Sequence, residues 1–290
     1  MERHHPARPA PAAPTAVRRA AVLGKPVAHS LSPVLHRAAY EALGLEGWAY
    51  ERHEVDEDGL ASFFEGLGAE WAGLSLTMPL KRAVLPLLDE VSATAASVEA
   101  VNTVCFPGDG RRVGDNTDIP GILAALRERG IEHAEDAAIL GAGATASSAL
   151  AALARICTGE ITAYVRSEQR GAEMRAWGER LGVPVRVAGW ADAAKALTAP
   201  LVVATTPAGA TDALAAAVPS RPGALFDVLY APWPTPLAAA WSRHGGTVLS
   251  GLDLLVHQAV LQVELMTGRS PAPLAAMRAA GEEALHARTT

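Results

Sequence analysis

Aromatic residues make up only 5% of this 290-residue chain, although half of it is hydrophobic and much of that half is alanine. The shortage argues against an aromatic-rich β-sandwich and for alanine-rich helices packed on sheets. Cysteine is scarcer still. Cys105 and Cys157 are far apart, form no C-x-x-C pair and close apolar runs, so free, buried thiols in a cytoplasmic protein are expected. No apolar stretch approaches the ~20 residues of a membrane span. Positive charge is not in excess, since the net charge is -6, and nothing electrostatic favours nucleic acid or an anionic membrane. His29, His36, His53 and His257 show no metal-binding spacing, and no metal is expected.

What the chain does contain is a series of short apolar runs alternating with helix-like stretches. The opening "MERHHPARPAPAAPTAVRR" has basic residues but no continuous apolar segment, so it is not read as a signal peptide. Its Pro/Ala bias cannot build a core, and residues 1–17 are expected to form a disordered tail. "RAAVLG", "GWAYERHEV" and "WAGLSLTMP" read as strands. "SPVLHRAAYEALG" reads as a helix with Ser32 as N-cap, Pro33 in the first position and Gly44 closing it. "LKRAVLPLLDEVSATAASVEA" reads as helix in two pieces around Pro86. "AVNTVCF" and "RRVGDN" form a hairpin around "PGDG".

Beyond Asp118 a second series follows. Its strands "AAIL", "ITAYV", "VPVRVAG", "PLVVATTP" and "GALFDVLY" are continuous apolar runs separated by helical segments, which implies a parallel sheet covered on both faces. The expected organisation is α/β in two domains. An N-terminal α/β substrate domain spans 18–118 and is completed by C-terminal helices in 252–290. A Rossmann-type dinucleotide-binding domain spans 119–251, with a cleft between the two.

Gly141-Ala142-Gly143-Ala144-Thr145-Ala146 matches G-x-G-x-x-A directly after a strand and at the opening of a helix, the context that gives the motif physical meaning. The first glycine permits a tight turn, the second lets a pyrophosphate approach the backbone, and Ala146 keeps helix and strand close. Free amides at the helix N-terminus then face the phosphates. The following strand ends in Arg166-Ser167 rather than in a carboxylate. An arginine there suits a 2′-phosphate and favours NADP over NAD.

Four N-terminal fragments concentrate hydroxyl, amide and charged groups at strand ends: Ser30-Leu-Ser32-Pro, Ser75-Leu-Thr77-Met-Pro-Leu-Lys81, Val101-Asn102-Thr103 and Gly114-Asp-Asn116-Thr-Asp118. Further on come Ala204-Thr-Thr206-Pro207-Ala-Gly209, Asp227-Val-Leu-Tyr230-Ala-Pro-Trp-Pro-Thr235-Pro-Leu237 and Gly251-Leu-Asp-Leu254-Leu-Val-His-Gln258. In this order, from about Val22 to Pro271, they closely resemble the shikimate dehydrogenase family. Ser75 stands where that family usually has Asn, Leu254 where it has Met, and Val165 where an Asn precedes the Arg. Ala144-Thr145 replaces a more usual Gly-Ala.

The resemblance implies reversible NADPH-dependent reduction of 3-dehydroshikimate to shikimate, in the chorismate route to aromatic amino acids, by a monomer or homodimer. It assigns Lys81 and Asp118 as the catalytic pair. It places Ser30, Ser32 and Tyr230 at the substrate carboxylate, and Thr77, Asn102 and Gln258 at the ring hydroxyls. Thr206, Pro207 and Gly251 join the glycine-rich turn, Arg166 and Ser167 on the cofactor. Two alternatives stay open at this level: a quinate/shikimate dehydrogenase that uses NAD, and a non-catalytic ligand sensor on the same fold. Asp118 could also cap the helix "IPGILAAL".

Overall fold

The computed structural model of the protein describes residues 17–289. Apart from Val17, the expected tail lies outside the described residues. Two six-stranded sheets organise the rest.

The first half runs β1 (Arg18–Gly24), α1 (Ser32–Ala42), β2 (Trp48–Glu54), α2 (Leu60–Glu65), β3 (Trp71–Leu76), α3 (Leu80–Ala83), β4 (Glu90–Val91), α4 (Ala93–Val98), β5 (Thr103–Cys105) and β6 (Val113–Asp115). Its strand order is β2-β1-β3-β5-β6-β4. The strand β1 is parallel to both neighbours, whereas β5 is antiparallel to β3 and to β6. The expected hairpin is present, with Thr103 paired to Asp115. That register makes Asn102 and the segment 116–118 leave the hairpin at the same end.

The second half runs α5 (Asp118–Glu128), β7 (Ala137–Leu140), α6 (Ala144–Leu153), β8 (Ile161–Val165), α7 (Glu168–Leu181), β9 (Val185–Gly189), β10 (Leu201–Ala204), β11 (Ala224–Asp227), α8 (Pro236–Arg243) and β12 (Thr247–Leu249). All its pairings are parallel, in the order β9-β8-β7-β10-β11-β12. This is the doubly wound, Rossmann-type arrangement, whose ligand crevice lies outside the C-terminal ends of β7 and β10, where the winding reverses. The continuous apolar runs account for it: β7, β10 and β11 are buried at every residue. Finally α9 (Gly251–Thr267) and α10 (Leu274–Thr289) return to pack on α1.

Local chemistry sets the helix ends. Ser250 and Asp253 form a reciprocal capping box at the start of α9, and Gly268 ends it at φ +68°. The Ser167 side chain caps α7 by accepting from the Arg170 amide. Four expectations need correction. Ser32 is not a cap, because Leu31 occupies that position and the Ser32 hydroxyl is turned to Ser30. The two-piece helix around Pro86 is interrupted further: Asp89 and Glu90 donate their amides to the Arg112 carbonyl, and β4 begins there. Two of the expected crossover helices are 3-10 turns, Trp190–Thr198 and Asp212–Ala217. Cys105 and Cys157 are free but only partly buried. Burial still pushes the Cys105 thiol up to about 12.

Among the described residues no helix is long and apolar enough to cross a membrane, and no cluster of His, Cys, Asp and Glu could hold a metal ion. One buried histidine shapes the acid side of stability. His36 is stacked on Tyr50, with ring centroids 3.9 Å apart, and its Nε2 meets Gln262 at 3.4 Å. Burial lowers its pKa to about 3, only partly opposed by that hydrogen bond. The unfolded chain takes up a proton here below about pH 6.5 and the folded chain does not, so this contribution is flat above pH 6.5 and erodes stability as pH falls towards 3. Urea unfolding of the wild type and His36→Phe at pH 7.0 and 5.0 should differ accordingly. The wild type should lose about 1–2 kcal/mol more than the variant on acidification. An equal loss in both proteins would remove His36 from the account.

Candidate active site

The two sheets face each other across a cavity of about 270 Å³. Its wall carries Ser30, Ser32, Thr77, Lys81, Asn102, Asp118, Tyr230, Gly251 and Gln258, together with Thr145 from the glycine-rich turn. Every residue expected at the substrate, from fragments more than 200 positions apart, therefore reaches one cavity.

Close backbone packing brings them there. A Cβ on Gly24, at the end of β1, would lie 2.3 Å from the Thr77 side chain and 2.9 Å from the Met78 carbonyl. The bare glycine thus lets the segment after β3 cross over β1 and deliver Thr77 and Lys81. At Gly251 a Cβ would sit 2.1 Å from the Val228 carbonyl, so the first turn of α9 lies directly against the end of β11.

The centre of the site is an ion pair. Lys81 Nζ donates to Asp118 Oδ2 at 2.6 Å, with the two side chains only 13% and 6% exposed. The other carboxylate oxygen, Oδ1, accepts from Asn102 Nδ2 at 2.8 Å. Asn102 also donates to Thr117 Oγ1 at 2.9 Å and accepts from the Thr117 amide at 2.8 Å. Both ends of its amide are therefore engaged by the protein, and in this arrangement Asn102 orients Asp118. Asp118 does not cap α5 with its side chain. Asn116 takes that task, its Oδ1 accepting from the Ile119 amide at 3.1 Å. The Asn116 Nδ2 group donates to the Ala100 carbonyl and to Ser148 Oγ on α6, tying the hairpin to the nucleotide-binding half.

Nothing in the local sequence singles out Gln262, yet it lines the cavity and is completely buried. Its Oε1 accepts from Ser75 at 2.8 Å, and its Nε2 donates to the Asn102 carbonyl at 3.1 Å and to Thr103 Oγ1 at 3.0 Å. Ser75 in turn accepts from the Tyr50 hydroxyl at 2.6 Å. The available signal was spacing, since Gln262 lies four residues, one helical turn, beyond Gln258. At the far end of the cavity Ser30 Oγ donates to Ser32 Oγ at 3.2 Å. Burial pushes the Tyr230 phenol up, against the lowering influence of Arg288, the Leu31 amide and Arg52.

The remaining expected cofactor residues gather at the C-terminal edge of the second sheet. Gly141 has φ +116°, and a Cβ there would lie 2.6 Å from Thr205 Oγ1 and 3.3 Å from Thr206 Cγ2. The turn from β7 thus fits closely against the segment that carries Thr206 and Pro207. Gly143 caps α6 in extended backbone, and a Cβ there would meet no atom within 4 Å. It is the open face over which a pyrophosphate can approach the Ala144–Ala146 amides, while Ala146 itself is fully buried against the sheet. Arg166 is exposed, has no carboxylate partner among the described residues, and lies over the Trp190 ring at 5.3 Å. Trp190 also escapes a reading of the sequence, because nothing around it marks a stacking platform. The residues present fit a phosphorylated dinucleotide.

Known proteins share this arrangement. Residues 22–104 match the model of the shikimate dehydrogenase substrate binding domain, and residues 251–280 that of the shikimate 5′-dehydrogenase C-terminal domain. Shikimate dehydrogenase (NADP(+)) of Oleidesulfovibrio alaskensis is 39% identical over 275 residues, covering 91% of this chain and 94% of that one. The crystal structure of Mycobacterium tuberculosis shikimate dehydrogenase superposes with a TM-score of 0.84 at 42% identity, over 92% of this chain and 99% of that one. Shikimate 5-dehydrogenase of Thermus thermophilus, solved in complex with NADP(H) and shikimate, matches with a TM-score of 0.80 at 36% identity, over 92% of this chain and 100% of its own. With its order of motifs, its paired sheets and these relatives in agreement, the chain belongs to the shikimate dehydrogenase family.

Proposed function

We propose that this protein catalyses the reversible, NADPH-dependent reduction of 3-dehydroshikimate to shikimate. The observation that carries the reading is the Lys81–Asp118 pair at 2.6 Å, placed in a cavity that also holds the Ser30, Ser32 and Tyr230 hydroxyls. A catalytic ammonium beside a carboxylate meets the proton requirement of ketone reduction, and the hydroxyl cluster meets the anionic end of the substrate.

A dinucleotide, when bound, would supply the hydride. The chain's own residues supply everything else. Gly141, Ala142, Gly143, Ala144, Thr145 and Ala146 would hold the pyrophosphate, Arg166 and Ser167 would take the 2′-phosphate, and Thr206, Pro207 and Gly251 would border the path towards the cavity. Lys81 hydrogen-bonds the substrate oxygen and passes it a proton as the carbonyl becomes a hydroxyl; in the reverse direction it takes the proton back. Asp118 keeps the ammonium in place, and Asn102, itself held by Thr117, keeps Asp118 in place. Thr77 and Gln258 bond ring hydroxyls. A site of fixed hydrogen-bond partners disfavours a ring lacking a hydroxyl, because its own buried groups then go unpaired.

Purified protein should therefore oxidise shikimate with NADP, followed as nicotinamide absorbance, and do so better than with quinate or with NAD. No turnover with any of these four combinations would sink the enzyme reading. Lys81→Ala and Asp118→Asn should each lower kcat by roughly 10²–10⁴-fold while the thermal unfolding profile stays cooperative. Wild-type rates in either variant would refute its role. Arg166→Ala should raise the KM for NADP by about tenfold or more and leave the KM for NAD within a factor of two. An unchanged KM for NADP would remove Arg166 from the 2′-phosphate site.

A further inference from the structure

Ser30, Ser32 and Tyr230, which form the carboxylate end of the cavity, are all neutral, and the two serine hydroxyls are partly engaged with each other. Neutral donors alone discriminate weakly between a carboxylate and an uncharged group of the same shape. Two arginines from opposite ends of the chain approach this end from outside. Arg52 on β2 donates Nη2 to the carbonyl of Ser30 at 2.6 Å. Arg288, at the end of α10, donates Nη1 to the carbonyl of His29 at 3.0 Å. These successive carbonyls belong to the loop that presents the Ser30 hydroxyl to the cavity. Among the described residues neither guanidinium forms an ion pair with a carboxylate, unlike Arg19, Arg111 or Arg278. Both charges are felt in the cavity wall, since each works to lower the Tyr230 phenol against the upward push of burial.

We infer that Arg52 and Arg288 are specificity residues for the anionic end of the substrate. They fix the 29–30 backbone and set two positive charges, without a carboxylate partner among the described residues, behind a layer of neutral hydroxyls. The inference rests on the shikimate reading above and deepens it. A site so framed prefers a carboxylate over a neutral ring of equal shape. Because both guanidinium groups are exposed, salt screens them, and the contribution of each is a factor of a few rather than of thousands. Positive potential at an exposed cavity mouth also accelerates capture of an anion, an effect that falls with ionic strength.

The test compares wild type, Arg52→Gln, Arg288→Gln, the double variant, Arg52→Lys and Arg288→Lys with two ligands, shikimate and its uncharged methyl ester. Turnover of shikimate by the wild type is measured first, so a failure of the activity itself appears before any variant is examined. Each Gln variant should raise the KM for shikimate about three- to tenfold with kcat within a factor of two. Apparent affinity for the methyl ester, as substrate or as competitive inhibitor, should stay within a factor of two. The fall of kcat/KM for shikimate between about 20 and 300 mM salt should flatten in the double variant, because the screened interaction is gone. The Lys variants, which keep the charge, should keep most of the wild-type KM. An unchanged KM for shikimate in the double variant overturns the inference. So do equal losses for acid and ester, which would reduce both arginines to struts of the loop.

Discussion

An ammonium and a carboxylate drawn 2.6 Å together and almost removed from water make a costly arrangement. Burying both charges costs several kcal/mol per ion unless attraction and further hydrogen bonds offset it. Around Asp118 those bonds form a short chain in which each member orients the next. Asn102 holds the second carboxylate oxygen, Thr117 holds both ends of the Asn102 amide, and Gln262 bonds the Asn102 carbonyl. Most of the architecture near the cleft keeps this chain assembled. The hairpin register delivers Asn102 and Asp118 to one end of the sheet, and Val101 donates its amide to the Lys81 carbonyl. Lys81, the cationic partner, is thereby locked to the same strand end.

The second sheet meets a different requirement, that of binding a polyanion with very little charge. Its glycine-rich turn offers backbone amides and an open surface at Gly143, and Arg166 is the exposed cation at the end of β8. The link between the two halves is also made of polar groups. Asn116 bonds the Ile119 amide of α5, the Ala100 carbonyl and Ser148 of α6, so one buried side chain belongs to both units.

Features that leave a local trace are legible in the sequence. Continuous apolar strands announced a parallel sheet, and "PGDG" between two alternating runs announced the hairpin. The residues of the cavity came from ordered motifs, because side chains delivered to a common point by strand ends need not share any local pattern. Errors arose where two residues could do the same job. Ser32 and Asp118 are both good helix caps by type, but Asn116 wins the cap of α5 through its geometry, and Asp118 is drawn away by Lys81. Ser32 turns to Ser30 instead. Gln262 and Trp190 stayed invisible because their roles depend on partners more than 20 residues away, namely Ser75 and Asn102 for the glutamine and Arg166 for the ring. The buried-thiol expectation for Cys105 and Cys157 overstated how far the ends of apolar runs withdraw from solvent.

The helix α9 contributes to two different parts of the molecule. Leu252, Val256, Ala259 and Val263 pack with α1 and α10, while Gly251, Leu254, Leu255, Gln258 and Gln262 border the cavity. Both sets repeat at three- and four-residue steps, so they interleave along the same seventeen residues and overlap at Leu255, which borders the cavity and also packs against the α1–α10 cluster. The segment therefore carries two messages in one register, one read by the folding chain and one by the ligand. A change at a position of the second set alone, such as Leu254 where the family usually has Met, leaves the contact with α1 and α10 in place.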